Sequence, residues 1–254
     1  MSAENYYQRI SEVLARIHST QMERIHRAAE AMASAVAQGN RVYLFGSGHS
    51  LIPVMDIFPR YGSFVGFFPL YDPRLMWFNV IGPGGARELL WLERQEGYAE
   101  VFLKSYPLER GDCMLVFSHG GMNAAPIEVA LESRKKGLRV ISVSSLANRQ
   151  LATPVHSSGK ALSDLADIAI DNCVPPEDAL VDIGRKEKVA AGSTMAAVFI
   201  AMSLLAETGS RLAARGIHPP TFVSPNVAGV ERDHNQKVFE AFAEQYFRRG
   251  PPVG

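Results

Sequence analysis

Glycines and hydroxyl side chains are concentrated in short turns that follow predicted strands. The first such turn reads Gly46-Ser47-Gly48-His49-Ser50, and its glycines let a ligand approach the backbone closely. A predicted helix begins at this turn, so its first backbone N–H groups have no partner within the helix and point toward the same place. Such a group of donors commonly binds a phosphate. The turn is not a dinucleotide-binding G-x-G-x-x-G motif, because Leu51 stands where the third glycine belongs, and no P-loop G-K-[ST] follows. By itself it is equally consistent with a tight turn that binds nothing.

Two further predicted strands end in the same way. The third strand is followed by Ser118-His119-Gly120-Gly121-Met122-Asn123 and the fourth ends in Ser142-Val143-Ser144-Ser145. Ligands of open parallel sheets bind beyond the carboxyl ends of the strands, so the three turns can converge on one anion. We expect His49 and His119 to point into the mouth of this cleft. The pattern predicts a phosphate cradle of backbone N–H groups and hydroxyls, with no metal and no cofactor.

Carboxylates and histidines outside the turns are candidates for acid–base chemistry. Asp56 lies in the helix after the first turn and Glu93 lies in a charged segment; for both, a solvent-exposed position is the other interpretation. His156 and Lys160 belong to the polar loop 153–160, which has no reason to be buried unless it closes over a ligand. His234 precedes a C-terminal helix, where it could equally be a neighbour of the helix cap.

The elements that position these residues follow from hydrophobic periodicity. Short runs of β-branched, aromatic and aliphatic residues predict buried parallel strands. These runs are 41–45, 64–70, 113–118, 139–144 and 167–171. Helical patterns lie between most of them, at 50–60, 98–105 and 123–136. Alternating strands and helices predict an α/β fold with helices on both faces of the sheet, and the absence of a closing repeat favours an open doubly wound sheet over a barrel.

The first 39 residues predict a helical hairpin. Apolar residues recur at helical spacing on both sides of Thr20-Gln21-Met22-Glu23, which has the form of a capping box, and Gly39 ends the second run. The segment has no basic face, which disfavours a DNA-binding helix-turn-helix. We predict one domain, with N-terminal helices at 1–39, an α/β core at 40–215 and a C-terminal tail and helix at 216–254.

Charge and composition exclude several classes of partner. Among 254 residues, 26 Lys and Arg balance 26 Asp and Glu, whereas nucleic-acid and membrane-surface binding favour a basic excess. No run of about 18 apolar residues predicts a membrane span, and the N-terminus has no signal-peptide pattern. Cys113 and Cys173 form no C-x-x-C pair, and two reduced, packed thiols fit a cytoplasmic protein.

Together with the order of strands and helices, the turns resemble those of the sugar isomerase (SIS) domain family, the phosphosugar-binding fold. The matching motifs are Gly46-x-Gly48-x-Ser50 and Ser118-x-x-Gly121. Further blocks are similar to a bacterial subfamily of stand-alone SIS proteins, and the matches extend from Gly46 to Gln236. These blocks are 92–99, 156–160, 171–172, 178–179 and 233–236.

The resemblance implies a flavodoxin-like five-stranded sheet that binds a sugar phosphate without a cofactor, in a homodimer or homotetramer with sites near subunit interfaces. By analogy Ser47, Ser118 and Asn123 hold the phosphate, assisted by backbone N–H groups of nearby glycines. The complete predicted binding set is Ser47, Gly48, His49, Ser50, Ser118, His119, Gly120, Gly121, Asn123, Ser144 and Lys160.

Two departures from the family pattern bear on activity. Many SIS domains read S-x-S-G-x-[ST] at the second turn, and here Gly120 and Asn123 replace two of the polar positions, so one hydroxyl contact is lost. Where relatives have a Glu-Glu pair in the helix after the first turn, this chain has Met55-Asp56, whose carboxylate is one methylene shorter.

Three functions are compatible with these features. The first is an aldose–ketose isomerase of a sugar phosphate, which moves a proton from C2 to C1 through an enediol and draws its acid and base from Asp56, Glu93, His156 and His234. The second is a non-catalytic phosphosugar sensor, which the two departures favour. The third is a lyase or hydrolase of an amino-sugar phosphate. The aromatic and glycine-rich segment 71–85 predicts a lid or, in preference, an oligomer contact.

Overall fold

The computed structural model describes residues 2–76 and 85–250. The strands are β1 (Val42–Gly46), β2 (Phe67–Pro69), β3 (Cys113–Phe117), β4 (Arg139–Ser144), β5 (Ile168–Asp171), β6 (Ala179–Val181) and β7 (Val189–Ala191). The helices are α1 (Ser2–Ala37), α2 (Ile52–Ile57), α3 (Gly85–Leu92), α4 (Tyr98–Leu103), α5 (Ala124–Lys135), α6 (Leu146–Leu151), α7 (Leu162–Leu165), α8 (Ser193–Ala214) and α9 (His234–Arg248). Short 3-10 turns occupy Gly48–Leu51 and Pro73–Leu75.

The five main strands form one parallel sheet in the order β2-β1-β3-β4-β5. The chain moves outward from β1 to β2 on one side and from β3 to β5 on the other, so the strand order reverses between β1 and β3. In open α/β sheets a ligand binds at this switch point, beyond the carboxyl ends of the strands. The predicted doubly wound fold is therefore confirmed, whereas the small antiparallel β6–β7 hairpin was not predicted from the sequence.

Helices cover both faces of the sheet because the central strands β1 and β3 bury apolar side chains on both faces. Successive side chains alternate between the two cores: Leu44 packs with α1, α2 and α8, whereas Tyr43 and Phe45 pack with α3, α4, α5 and α7. Helix α8 is long and apolar enough to meet the length and hydropathy limits of a membrane span. In the structure it packs against α1 and α2, with nine buried residues, as a core helix.

The predicted hairpin at 1–39 was wrong, because α1 is one helix of 36 residues. The Thr20 hydroxyl donates to the Arg16 carbonyl 2.7 Å away, one turn earlier, instead of capping a new helix. The buried stripe of Ile10, Ile17 and Ile25 continues through this point at steps of two turns. Because the buried residues stay on one face of α1, the helix can pack along α8 without interruption. The apolar periodicity therefore predicts this segment better than the capping pattern does.

Candidate functional site

Glu93 lies one residue beyond α3 and connects the first two glycine-rich turns. The Ser47 hydroxyl donates to Glu93 Oε2 over 2.7 Å, and the Asn123 side-chain amide donates to Oε1 over 2.7 Å. The Glu93 carbonyl also accepts from the backbone N–H of Ala125 at 2.9 Å. Only 8% of Glu93 is exposed. A buried carboxylate is thus held at the switch point by one donor from each turn.

Burial raises the pKa of Glu93 above its ordinary value of 4.5, and the Ser47 hydrogen bond and the Arg94 charge oppose this rise. A carboxylate with a raised pKa is a better proton acceptor than an exposed one, and its two donors stabilise the ionised form. The site is suited to general-base chemistry.

The first turn has its shape because two of its residues are glycines. A Cβ on Gly46 would lie 2.1 Å from the Ser50 carbonyl oxygen, so the 3-10 turn can form only without a side chain there. Gly48 has φ +56°, which glycine adopts at little cost. The Ser50 N–H bonds to the Ser47 carbonyl at 3.1 Å and closes the turn. This closure fixes the backbone from which the Ser47 hydroxyl reaches Glu93.

The second turn is closed by its own serine. Ser118 Oγ accepts the Gly121 N–H at 3.2 Å, and the Gly120 carbonyl accepts from the Asn148 amide at 2.8 Å. Gly121 has φ +66°, and a Cβ there would lie 3.3 Å from Cβ of Ser144, so the third turn packs directly against the second. The side chains of Ser47 and Asn123, which were predicted to hold the phosphate, donate to Glu93 in the structure.

A second group of polar residues lies at the carboxyl ends of the same strands, on the side of the sheet that carries α1 and α8. His49, Ser50, Ser118 and His119 contribute to it from the predicted turns. Asn172, Ser193 and Thr194 also line it, although none of these three was predicted as a site residue from the sequence. The available signal was a pair of hydroxyls at the start of a long apolar helix, directly after Gly192.

The start of α8 is held in this position by Asp178. Its carboxylate accepts the N–H groups of Gly192 at 3.1 Å and Ser193 at 2.7 Å, as well as the Ser193 hydroxyl at 2.8 Å. A carboxylate that caps a helix N-terminus satisfies backbone donors and complements the helix dipole. The hairpin β6–β7, which Asp178 precedes, thus anchors α8 at the edge of the site.

The polar loop 153–160 packs against the second turn. The Val155 N–H donates to the Met122 carbonyl at 3.0 Å, and the backbone N–H and hydroxyl of Ser157 each donate to Glu96 at 2.6 Å. His156 Nε2 lies 3.7 Å from Glu96 Oε2 and 3.9 Å from Glu128 Oε1. Lys160 is exposed, and its backbone N–H donates to Ser158 Oγ at 3.3 Å.

The other two predicted acid–base residues lie elsewhere. Asp56 forms an ion pair with Arg60 and lines a groove of about 500 Å³ with Phe222. His234 Nε2 donates to the Thr221 carbonyl at 2.8 Å at the start of α9. Both residues therefore lie beside the C-terminal tail, and the expectation that they join Glu93 in one site is corrected. A helix-spacing argument cannot show which face of α2 Asp56 occupies.

The predicted lid or contact segment 71–85 falls largely outside the described residues, since 77–84 are not among them. Within 2–76 and 85–250, no cluster of three or more His, Cys, Asp or Glu side chains is arranged to hold a metal ion.

Relatives in sequence match nearly the whole chain. The chain is similar to the UPF0309 protein OB3413 of Oceanobacillus iheyensis, with 36% identity over 95% of this chain and 97% of the relative. It is also similar to the UPF0309 protein BH3325 of Halalkalibacterium halodurans, with 33% identity over 96% and 98%.

Solved structures share the fold at low sequence identity. A phosphoheptose isomerase from Francisella tularensis matches with a TM-score of 0.53 and 15% identity, covering 81% of this chain and 95% of that chain. The phosphoheptose isomerase GmhA from Neisseria gonorrhoeae matches with a TM-score of 0.56 and 13% identity, covering 82% and 97%. The family model for the SIS domain matches residues 5–145, which is more than half of the chain. With the five-stranded sheet and the paired turns, this match shows that the chain belongs to the SIS domain family.

Proposed function

We propose that this protein binds a sugar phosphate at the carboxyl edge of the sheet and interconverts its aldose and ketose forms, with Glu93 as the base. The observation that carries the proposal is the position of the Glu93 carboxylate, which is buried between Ser47 and Asn123 and has a raised pKa. A structural carboxylate of this burial is normally paired with a cation or neutralised, whereas this one is held by two neutral donors beside the predicted cradle.

Because the side chains of Ser47 and Asn123 donate to Glu93, the proposed base, we assign the phosphate to other donors. The hydroxyls of Ser50 and Ser118 and the backbone N–H groups of Gly48 and Gly120 remain available in the two turns at the strand ends. Lys160, an exposed residue of the loop 153–160, is the cation that we assign to the phosphate. A cradle built chiefly of neutral donors agrees with the zero net charge of the chain.

The proposed reaction balances without a cofactor. In the open-chain aldose, Glu93 takes the proton from C2, the electrons of the C2–H bond form a C1=C2 double bond, and the carbonyl electrons move onto O1. A proton then passes from O2 to O1, and Glu93 returns its proton to C1 as the carbonyl forms at C2. We assign the ring-opening proton transfer that precedes this to His156, whose loop is closed onto the second turn.

Assembly and location are part of the same proposal. We propose a cytoplasmic homodimer or homotetramer with subunit contacts near the site, because Trp91, two residues before Glu93, is 61% exposed. Light scattering coupled to size-exclusion chromatography tests the assembly, and a monomer at micromolar concentration contradicts it.

The test of function begins with binding. A thermal-shift panel of aldose and ketose phosphates with three to seven carbons is run beside the matched unphosphorylated sugars, and we expect stabilisation by phosphates only. Turnover is then measured for the wild type, Glu93→Gln and the control Glu88→Gln, whose side chain is exposed on α3.

We expect Glu93→Gln to lower kcat by about 10²- to 10⁴-fold and to abolish exchange of the C2 proton with solvent, while Glu88→Gln leaves both unchanged. Selective binding without wild-type turnover or exchange would replace the isomerase with the sensor function. No stabilisation by any sugar phosphate would refute the proposed function altogether.

A further inference from the structure

The tautomer of His119 is determined by its neighbours. The Asn172 side-chain oxygen accepts the Val174 N–H at 3.0 Å, so the Asn172 amide nitrogen must face His119 Nδ1, which lies 3.0 Å away. The opposite orientation of this amide would place two donors against each other at Val174. Since Asn172 donates, Nδ1 accepts, and the ring proton of His119 is carried by Nε2.

This Nε2–H group has no hydrogen-bond partner among the described residues, although the nitrogen is buried. Burying a donor without an acceptor destabilises the folded protein. We therefore expect the acceptor of this N–H group to be an atom of a bound ligand or a water molecule. His119 lines a cavity of about 10 Å³ together with Ser50, Ser118 and Thr194. That volume holds roughly one water-sized atom, which matches a single oxygen rather than a whole sugar.

The surroundings of the cavity are polar and include donors suited to an oxygen. Its wall includes Ser193 and Thr194, the first two residues of the 22-residue helix α8. The carboxylate of Asp178 already accepts the N–H groups of Gly192 and Ser193 at this helix start, so the donor left for an oxygen in the cavity is His119 Nε2–H rather than the helix terminus. His119 belongs to the same turn as Asn123, which binds Glu93, so this donor and the base are positioned by one segment of chain.

We propose that His119 is a catalytic residue that donates from Nε2–H to the carbonyl oxygen of the open-chain sugar as that oxygen becomes an enediolate. This inference rests on the proposed isomerase function. When Glu93 removes the C2 proton, the carbonyl electrons move onto O1, and His119 stabilises the new charge while keeping its own proton. A neutral imidazole is a suitable electrophile for this step, because its N–H polarises a carbonyl without adding a competing acid.

The first experiment reads the tautomer without any substrate. The full chain is labelled with ¹⁵N in its histidines, and the His119 signals are assigned by their loss in His119→Gln. We expect the Nε2–H tautomer in the wild type. In Asn172→Asp, where a carboxylate replaces the donating amide, we expect Nδ1 to gain a proton. An Nδ1–H tautomer in the wild type overturns the proposal and leaves the proposed function untouched.

The second experiment measures turnover of the sugar phosphate that the wild type isomerises fastest. We expect His119→Phe to lower kcat by about 10²- to 10³-fold, as for loss of one donor to a developing oxyanion, with KM changed by less than roughly 3-fold. Asn172→Asp should also lower kcat, because it reverses the tautomer while retaining the ring. The control is His18→Phe, an exposed histidine of α1.

The outcomes separate the two ideas. Wild-type kcat in both His119→Phe and His119→Gln overturns the role of His119 while the proposed function survives. Absence of wild-type turnover across the whole panel overturns both. If His119→Phe does not fold, the tautomer measurement together with turnover by Asn172→Asp decides the question.

Discussion

The hydroxyl of Ser47 donates to the carboxylate of Glu93 over 2.7 Å, and the two residues are 46 positions apart in the chain. Ser47 is the first residue after β1, whereas Glu93 is the first residue after α3, which covers one face of the sheet. The hydrogen bond therefore fixes the carboxylate of Glu93 relative to the glycine-rich turn 46–50. It also gives each residue a measurable effect on the other, because a donor to an ionised carboxylate lowers its pKa while burial raises it.

The activity of the wild type should decline in acid with a midpoint that reflects Glu93. A general base must be ionised, and burial raises the pKa of Glu93 above the ordinary 4.5, so the acid limb of kcat/KM against pH should lie above that value. The measurement is kcat/KM from pH 4 to 9 in a buffer of constant ionic strength. An acid limb at or below pH 4.5 would contradict the assignment.

Ser47→Ala should move that acid limb to higher pH. The substitution removes a donor that lowers the pKa of Glu93 and leaves burial, which raises it, in place. We expect the stability cost to be about 0.5–1.5 kcal/mol, as for one intramolecular hydrogen bond. Ser19→Ala, at an exposed position on α1, is the control. An unchanged pH profile in Ser47→Ala would show that another group titrates.

The free energy of unfolding should contain a component from Glu93 that falls as pH rises. Because the folded-state pKa is raised, the native protein retains this proton after the unfolded chain has lost it. Stability from this group is complete below the ordinary pKa of 4.5 and is lost as pH rises through the folded value. Urea denaturation between pH 4 and 8 should show a shallower decline in Glu93→Gln than in the wild type, with Glu88→Gln behaving like the wild type. A steeper decline in Glu93→Gln would be inconsistent with the burial argument.

Gly46→Ala and Gly120→Ala should differ sharply although both change a glycine-rich turn. A Cβ on Gly46 would lie 2.1 Å from the backbone oxygen of Ser50, which cannot move without opening the turn, whereas a Cβ on Gly120 would first meet the Asn148 side chain at 3.4 Å. We expect Gly46→Ala to cost more than about 3 kcal/mol or to prevent folding, and Gly120→Ala to cost less than about 1 kcal/mol. Thermal denaturation followed by circular dichroism compares the two. Equal stability would show that the first turn can rearrange.

Asp178→Ala should destabilise the start of α8. The substitution removes the acceptor of three hydrogen bonds at this helix N-terminus, and loss of a cap costs roughly 0.5–2 kcal/mol. Asp178→Asn should cost less, since the amide oxygen can still accept and asparagine tolerates the φ of +62°. Asp182→Ala, at an exposed position in the same hairpin, is the control. If Asp178→Ala and Asp182→Ala show the same urea midpoint, Asp178 does not hold the helix.

The agreement between sequence and structure is closest where the signal is local. The turns at 46–50 and 118–123 follow directly from glycines and hydroxyls next to apolar strands, and both lie at strand ends in the sheet. The strand at 64–70 was predicted too long, because β2 spans only Phe67–Pro69 and Phe64 instead pairs with Thr221. That pairing joins residues far apart in the chain, so no local pattern could reveal it.

The sequence by itself predicted the parallel α/β fold, the turns at the carboxyl edge and an anion site built chiefly from backbone N–H groups and hydroxyls, with Lys160 as its cation. Tertiary structure alone decided that α1 is continuous, and that Glu93 joins Ser47 and Asn123 while Asp56 pairs with Arg60 at the surface. Periodicity records which residues are apolar, but a lone carboxylate carries no periodic signal. Whether it is buried depends on which distant donors the fold brings within hydrogen-bond distance.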